Sequence, residues 1–516
     1  MINFEFDNYI INLFCFYYYE FNYIDVSIWI LLPEILLLTF SFLILLTNYL
    51  FNTKVYYFWI LGLFITLLFY YTYVIMFSKF SSNLLDFLLE NFIIFDYYYL
   101  FFKTMIIALS LIILILAWEI INNTYSVILN EFFFLFLMSI FFMLILISSS
   151  DFYSCYLSLE GMSFSLYLLS ASSYYNRLSI EASLKYFILG SVASSILLYG
   201  ISFSLIVTTS LDFFSIKYFL LFSLNSKHYL DIMLIIFLLT IGLFFKLSIF
   251  PCHMWTLDVY EGIWIPCTAF FALVVKLTLF IFTIRIFCYV FSSIFIWRLF
   301  FIVGGCGSII VGCLGAMIQK RIKRFLAYTS INQIGFLLIG LTTNNIFGIS
   351  SCLLFLLVYL IMNIIFFGII LNTKHFTQNF QIIFLNDLYS LNGNEVYIDL
   401  IWVLTLFSMA GIPPLAGFFS KYYILLNLTS LSFYYTVFLI LIFSTISSYY
   451  YLNFIKCIFF EKKQLKTLYF FDAKVFELKF LIILFASLIL VFFIFLIPVI
   501  FDKLIILSFS CKYILQ

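Results

Sequence analysis

Charged residues are scarce in this chain. Aspartate, glutamate, lysine and arginine make up only 9% of its 516 residues, whereas 66% are hydrophobic. A soluble globular domain carries about one quarter charged residues, so this composition excludes an ordinary soluble protein. The mean hydropathy of +1.19 has the same implication. The sequence therefore predicts an all-α polytopic membrane protein, in which each helix satisfies its own backbone hydrogen bonds.

The chain also lacks the residue clusters that several other functions require. Most of its 25 basic residues stand in short segments between hydrophobic runs, which argues against a nucleic-acid-binding surface. Its ten cysteines are scattered without any Cys-x-x-Cys pair, which argues against zinc or iron–sulfur ligation. Residues 1–26 mix acidic and aromatic residues without a basic start, so no cleavable signal is predicted there.

Hydrophobic runs long enough to cross a bilayer recur along the whole chain. A span needs about 20 apolar residues, and about fourteen such runs can be counted. Asp151 is the predicted turn between the fourth and the fifth, and Pro33 with Glu34 is predicted to form an interfacial kink. The runs lie near residues 27–50, 56–77, 98–118, 127–149, 151–174, 179–208, 231–255, 262–290, 296–318, 324–343, 346–372, 398–427, 432–457 and 478–502.

The basic residues orient these spans. With fourteen spans both termini lie on one side, and most basic residues, including Arg177 and the cluster at 320–324, fall on the other. Because basic loops remain on the cytoplasmic or matrix side, both termini are predicted to lie outside, away from that compartment.

Three lysines, Lys246, Lys276 and Lys421, lie inside segments that are otherwise apolar. A charged side chain at the centre of a bilayer costs about 2.5–3.5 kcal/mol even on the permissive insertion scale. Such a lysine persists only with a counter-charge, with a water-filled path, or by releasing its proton. The pattern therefore predicts a proton relay at membrane depth.

Glu160 is the predicted counter-ion, because it also lies in the middle of an apolar run. At about 4 Å a carboxylate stabilises an ammonium by about 4 kcal/mol at an effective dielectric of 20. Moving it away would favour proton release from the lysine. The alternative is a static ion pair that ties two helices together. Lys185 has two interpretations as well: a functional residue, or an interfacial lysine that pairs with Glu181 at the i,i+4 spacing.

Two proline-containing breaks fall beside buried lysines. Pro251 follows Lys246 by five residues, and Pro413 with Pro414 precede Lys421. Proline removes a backbone donor and interrupts a helix, and broken helices in both halves of a transporter-sized chain indicate paired repeats with central ion sites. His253 follows Lys246 by seven residues, on the same face if the helix continues, and is predicted either as a proton relay or as an ordinary polar group near the helix end.

Several long stretches resemble the antiporter-like subunits of respiratory complex I. They read GLFFKLSIFPCHMWTLDVYEGIWIPCTAFFALVVKL, KRIKRFLAYTSINQIGFLLIGL and SMAGIPPLAGFFSKYYIL. Among the three paralogous branches, LSLEGMSFSLYLLSA, EASLKYFILGSVASSILLYGIS and the LDVYEG stretch resemble the subunit 2 branch. The resemblance runs from about residue 30 to the last span. It departs from the family pattern at Cys252, where the family has Phe, and at Leu257, where the family has Pro.

The resemblance implies fourteen transmembrane helices arranged as two inverted five-helix repeats with discontinuous helices. It also implies proton translocation driven by NADH oxidation and quinone reduction elsewhere in the complex, whose FMN, iron–sulfur clusters and ubiquinone lie outside this chain. The implied regions are an N-terminal extension (1–26), three N-terminal helices (27–118), a first repeat (127–290), a second repeat (296–457), and a basic loop with the last helix (458–516).

The family's proton-carrying positions fall on residues already singled out. They are Glu160 in the fifth helix, Lys185 in the sixth, Lys246 in the seventh, His253 after it, Lys276 in the eighth and Lys421 in the twelfth, with helix breaks at Pro251, Pro413 and Pro414. In this interpretation Glu160 modulates the charge on Lys246, Lys276 passes the proton along the midplane, and Lys421 is the donor on the exit side.

The resemblance also implies a location and partners. The 73 phenylalanines against 18 glycines are typical of AT-biased coding in an organelle genome, so the mitochondrial inner membrane is predicted, with both termini in the intermembrane space. The expected partners are the other membrane-arm subunits, including paralogous antiporter-like and small membrane subunits, and lipids. Two rival functions remain open: a subunit of a multisubunit sodium/proton antiporter, and a structural membrane-arm subunit that moves no protons.

Overall fold

The computed structural model describes residues 31–43, 62–63, 66, 96–122, 126–173, 176–223, 229–375, 384, 396–459, 469–471 and 478–513. These residues form helices almost throughout. The helices are α1 (Leu31–Leu43), α2 (Tyr97–Asn122), α3 (Ser126–Ser148), α4 (Phe152–Ser170), α5 (Arg177–Thr208), α6 (Phe213–Ser223), α7 (Tyr229–Leu247), α8 (Met254–Gly262), α9 (Ile265–Val290), α10 (Ile296–Ile318), α11 (Ile322–Leu341), α12 (Ile346–Asn372), α13 (Val396–Ala410), α14 (Ala416–Ser430), α15 (Tyr434–Phe459) and α16 (Leu478–Tyr513).

The predicted membrane fold is confirmed. Among the described residues, nine helices are long and apolar enough to cross a membrane, namely α2, α3, α5, α7, α9, α10, α12, α15 and α16. The helices α4 and α11 fill two further predicted spans. Asp151 stands between α3 and α4, at the predicted turn, as the residue before the first turn of α4. Of the predicted span at 56–77, all but residues 62, 63 and 66 lie outside the described residues.

Two membrane segments are interrupted where proline was singled out. One break separates α7, which ends at Leu247, from α8, and the other separates α13, which ends at Ala410, from α14. Each break contains a cis peptide bond before proline, Phe250–Pro251 and Pro413–Pro414. One interrupted segment therefore falls in each of the two predicted repeats, whose limits remain a prediction.

The core is built around α9, which is buried along its whole length. Its backbone changes from α to π geometry at Phe271–Val275, returns to α at Lys276–Ile284, and is π again at Arg285–Val290. A π segment accommodates one more residue per turn than an α-helix and often occurs at a functional site. The neighbouring α10 and α11 pack closely, because Gly312 lets α10 approach the backbone of α11.

Two elements were not predicted. The connection at 209–230 contains α6, whose Phe213, Ile216 and Leu220 are buried at helical spacing and give it one buried face. The connections at 373–397 and 458–477 meet in a two-stranded antiparallel sheet of β1 (Thr373–His375) and β2 (Tyr469–Phe471). The sheet places these two connections on the same side of the helix bundle.

Candidate functional site

Lys246 and Glu160 face each other across α7 and α4. The Lys246 Nζ lies 3.9 Å from Glu160 Oε1 and donates to the carbonyl oxygen of Leu159 at 3.4 Å. Glu160 Oε1 is buried, and no described residue hydrogen-bonds it. The pair is therefore within electrostatic range but is not locked by a direct hydrogen bond. Both side chains are largely buried, at 7% and 21% exposed.

A small cavity lies beside Lys246, between α4, α5, α7, α8 and α9. It offers about 20 Å³ to the centre of a water molecule, and a cavity needs about 10–15 Å³ by this measure to hold one. Tyr167, Tyr186 and Trp255 line it together with Val275 and Leu279 of α9. Since those two residues flank Lys276 in sequence, the cavity occupies part of the space between Lys246 and the helix that carries Lys276.

Lys276 is the most deeply embedded of the three predicted lysines. It is the residue at which α9 returns from π to α geometry, and its Nζ donates to Ser330 Oγ at 2.7 Å. The Ser330 hydroxyl donates in turn to the carbonyl oxygen of Ala327. The ammonium also lies 5.4 Å from the centre of the Tyr260 ring. No carboxylate among the described residues forms an ion pair with it, so its charge is balanced only by dipoles and an aromatic face.

Lys421 lies at the second helix break. Its Nζ donates to the carbonyl oxygens of Met409 and Ala410, at 2.9 and 3.1 Å, which are the last residues of α13. The final carbonyl groups of a helix have no partner within it, and its C-terminus attracts a positive charge. Gly411, with a φ of +86°, lets the chain turn directly against this lysine. The break therefore supplies the acceptors for the ammonium.

Lys185 belongs to a different environment, at one end of the bundle. Its Nζ pairs with Glu181 at 2.7 Å and Asp258 at 2.8 Å, and its side chain is 43% exposed. The pairing with Glu181 has the predicted i,i+4 spacing. The structure does not bring Lys185 into contact with the other predicted lysines.

The basic cluster at 320–324 participates in the same surface network. Arg321 and Arg324 both pair with Glu261 of α8, and Lys323 donates to the carbonyl oxygen of Ile263 at 2.5 Å. Sequence analysis assigned this cluster only to membrane orientation. Its contacts hold α8, which also supplies Trp255 to the cavity and Tyr260 to Lys276. The acidic residues in the stretch LDVYEG were the feature of the sequence that could have indicated these ion pairs.

His253 lies within the first break rather than on the face of Lys246. Because α7 ends at Leu247 and α8 begins at Met254, the helical spacing on which that expectation depended is absent. The imidazole is buried and stacks on Phe250, with 6.0 Å between ring centres. Pro251 lies in the same break, and Pro413 and Pro414 lie in the other. The roles of these residues remain predictions.

Sequence analysis missed two buried ion pairs in the N-terminal helices. Lys103 of α2 pairs with Glu34 of α1, and Arg285 of α9 pairs with Asp96 at 2.8 Å. Glu34 had been assigned to an interfacial kink, but it is only 2% exposed. The partners are 69 and 189 residues apart in sequence, so only an ionisable residue inside an apolar run could have indicated them.

Together these contacts form a series of buried lysines with three kinds of neighbour: a carboxylate, a hydroxyl and a helix end. Lysine is acidic enough to release a proton when its charge is poorly compensated. That these lysines bind and release protons inside the membrane remains a prediction. Among the described residues, no group of three or more histidine, cysteine, aspartate or glutamate side chains could hold a metal ion.

Comparison with known proteins identifies close relatives. Residues 149–447 match the family described as NADH:quinone oxidoreductase/Mrp antiporter, transmembrane. NADH-quinone oxidoreductase subunit N of Ruthia magnifica is 33% identical over 79% of this chain and 83% of its own length. Subunit N of Paramagnetospirillum magneticum is 37% identical, and this match covers 54% of the chain but only 58% of the relative. NADH-ubiquinone oxidoreductase chain 2 of Marchantia polymorpha is 37% identical over 54% of this chain and 56% of its own length.

Solved structures show the same fold. A chain of respiratory complex I from Thermus thermophilus superposes with a TM-score of 0.74 at 24% identity, covering 92% of this chain and 99% of that one. A chain of the Mrp complex from Dietzia sp. superposes with a TM-score of 0.74 at 15% identity, covering 95% and 97%. The family model matches more than half of the residues, and the Ruthia relative matches most of both chains. The chain thus belongs to the family of membrane subunits shared by NADH:quinone oxidoreductases and Mrp antiporters.

Proposed function

We propose that this chain is the subunit 2 component of the membrane arm of a proton-translocating NADH:ubiquinone oxidoreductase. The observation that carries the proposal is the series of buried lysines, Lys246, Lys276 and Lys421, each with a different neighbour that could exchange or stabilise its charge. The relatives named as subunit N and chain 2 of such oxidoreductases support this assignment over an antiporter.

In the proposed mechanism the chain contains no redox centre. The FMN, iron–sulfur clusters and ubiquinone would belong to other subunits, and their reaction would drive charge movement here. Displacement of the Glu160 carboxylate from Lys246 would destabilise the ammonium and send its proton toward Lys276. The cavity beside Lys246 could accept a water molecule for this transfer. Lys421 would receive the charge at the end of α13 and release it on the exit side.

The proposed setting is the mitochondrial inner membrane, with both termini in the intermembrane space. The aromatic-rich composition and the relative from Marchantia support the organelle. The proposed partners are the other membrane-arm subunits, including the paralogous antiporter-like subunits and small membrane subunits, together with lipids. The exposed apolar side chains along α5 would be covered by such partners.

A second candidate is a subunit of a sodium/proton antiporter, because the fold is shared with a chain of an Mrp complex. Native membranes solubilised gently, separated on a native gel and analysed by mass spectrometry distinguish the two. We expect this chain to migrate in a very large assembly that stains for NADH dehydrogenase activity. Migration in a smaller particle without that activity would contradict the proposal, and sodium-dependent proton flux in that particle would establish the antiporter.

A further inference from the structure

A second group of buried ionisable side chains lies where α1, α2 and α9 meet. It comprises Glu34 of α1, Asp96 at the start of α2, Tyr99 and Lys103 of α2, and Arg285 of α9. All five are at most 8% exposed. Ionisable side chains inside a membrane protein are rare and usually functional, so each half of this group needs a physical account.

One half of the group is saturated, meaning that each oxygen of its carboxylate has a hydrogen-bond partner. Asp96 accepts from Arg285 Nη2 at 2.8 Å and from the backbone N–H of Tyr99 at 2.7 Å, so both carboxylate oxygens are used. Arg285 also donates to the carbonyl oxygen of Ile147 at 2.6 Å. The aspartate thus caps the N-terminus of α2 and neutralises the arginine. This pair explains how α9 is fastened to α2 and α3.

The other half is not saturated, because one oxygen of its carboxylate has no hydrogen-bond partner among the described residues. Glu34 Oε1 forms an ion pair with Lys103 and accepts from the Tyr99 hydroxyl at 3.2 Å. Lys103 Nζ also contacts the Tyr99 hydroxyl, at 2.6 Å. Glu34 Oε2, in contrast, is buried, and no described residue hydrogen-bonds it. An unpaired oxygen on a buried carboxylate is unfavourable, and it is the position on Glu34 that is open to a proton.

The unsaturated pair, Glu34 and Lys103, lies at about the same depth as the predicted relay. Lys103 lies seven residues along α2 from Asp96, and Lys276 lies nine residues along α9 from Arg285. At 1.5 Å per residue, both ammonium-bearing residues stand about 10–14 Å inward from the saturated Asp96–Arg285 pair. Lys103 therefore lies at about the same depth as Lys276, on the side of α9 that faces the N-terminal helices. The Tyr98 hydroxyl connects α2 with α9 by donating to the carbonyl oxygen of Ile281 at 3.4 Å.

We propose that Glu34 and Lys103 form a further proton-exchange site, which extends the buried lysine series into the N-terminal helices. The site either binds a proton at Glu34 Oε2 while Lys103 remains charged, or takes it from Lys103 through the Tyr99 hydroxyl, which donates its own proton to Glu34 Oε1 as it accepts one from Lys103. Among the described residues, the charged and titratable groups that contact Glu34 are Lys103 and Tyr99. The backbone N–H of Tyr99 donates to Asp96, which in turn pairs with Arg285. The inference rests on the proposed function, since it assigns the site to the same proton translocation.

The test separates proton exchange from a static ion pair. In the assembled complex, the double variant E34Q/K103M removes both charges at similar volume, so it leaves no unpaired buried charge. The matched control is E119Q/K479M, which removes the ion pair at the opposite end of α2. Protons translocated per NADH oxidised are measured in sealed vesicles, beside the thermal stability of each complex.

We expect E34Q/K103M to assemble, to oxidise NADH, and to lose translocated protons relative to both the wild type and the control. Wild-type translocation by an assembled E34Q/K103M complex would overturn the inference and leave the proposed function intact. An absence of NADH-driven translocation in the wild type itself would instead reject the proposed function.

If the double variant fails to assemble, the conservative variant E34D tests the inference instead. It keeps a carboxyl group but shortens the side chain, so a carboxyl band of Glu34 in the infrared difference spectrum of the working complex should shift. A shift supports a carboxyl that changes protonation during turnover. An E34D spectrum identical to that of the wild type would overturn the inference.

Discussion

The ammonium nitrogen of Lys421 lies 2.9 Å from the carbonyl oxygen of Met409, twelve residues earlier in the chain. A buried cation is thus held by the open end of a half-helix rather than by a carboxylate. Lys246 has a carboxylate at 3.9 Å, and Lys276 has a hydroxyl at 2.7 Å. The three lysines differ in what stabilises their charge, and this difference generates separate predictions for each.

Replacing Lys276 by methionine should leave assembly intact and reduce proton translocation. The change removes a buried charge that no described carboxylate compensates, and it sacrifices one hydrogen bond to Ser330, worth about 0.5–1.5 kcal/mol. Thermal stability of the complex should therefore change little or rise. Protons translocated per NADH oxidised should fall, and S330A, which keeps the lysine, should have a smaller effect. Normal pumping by an assembled K276M complex would remove Lys276 from the relay.

Replacing Glu160 by glutamine should alter the behaviour of Lys246. At 3.9 Å and an effective dielectric of 20, the lost attraction is about 4 kcal/mol. We expect lower translocation per NADH with retained assembly, measured in sealed vesicles. The matched control is E181Q, which breaks an exposed i,i+4 pair worth about 0.3–0.5 kcal/mol. Equal effects of the two substitutions would show that the Glu160 carboxylate has no special role.

Replacing Gly411 by alanine should displace Lys421. The left-handed backbone costs a non-glycine residue about 1–2 kcal/mol, and the added Cβ would lie 3.1 Å from the lysine Nζ. We expect lower thermal stability together with reduced translocation. G62A serves as the control, because its Cβ meets only ordinary contacts with Phe40. A G411A complex with the stability and pumping of G62A would contradict this account of the break.

Replacing Glu261 by glutamine should loosen α8. The carboxylate pairs with both Arg321 and Arg324 and is itself only 13% exposed, so its loss should cost about 1–2 kcal/mol, limited by the exposure of the arginines. We expect faster amide hydrogen exchange across Met254–Gly262. D258N should have a weaker effect, since Asp258 is 42% exposed. Unchanged exchange in E261Q would show that these ion pairs do not hold the helix.

Much of the fold follows from composition and spacing. The apolar runs predict the helices, the prolines at 251, 413 and 414 predict the interruptions, and Asp151 predicts a turn. The short helix α6 was missed because its 11 residues are too few to cross a bilayer, so the segment was counted as a connection between spans.

The site was predicted in part, because a lysine inside an apolar run is visible in the sequence and its partner usually is not. Glu160 could be matched to a lysine as the acid in the middle of a run. Lys103 also lies in an apolar run, but its partner Glu34 stands beside a proline that suggested a kink instead. The acceptors of Lys421 are main-chain carbonyls, which no residue type identifies.

The π segment at Phe271–Val275 has a consequence for how this chain can vary between relatives. It stores one surplus residue immediately before Lys276. Deleting a single residue there would restore an ordinary α-helix and remove the wider turn that immediately precedes Lys276. The length of this segment, and not only its residue types, is therefore constrained. We expect alignments of functional relatives to contain no single-residue deletion between Ile265 and Lys276 that is not balanced by an insertion in the same segment.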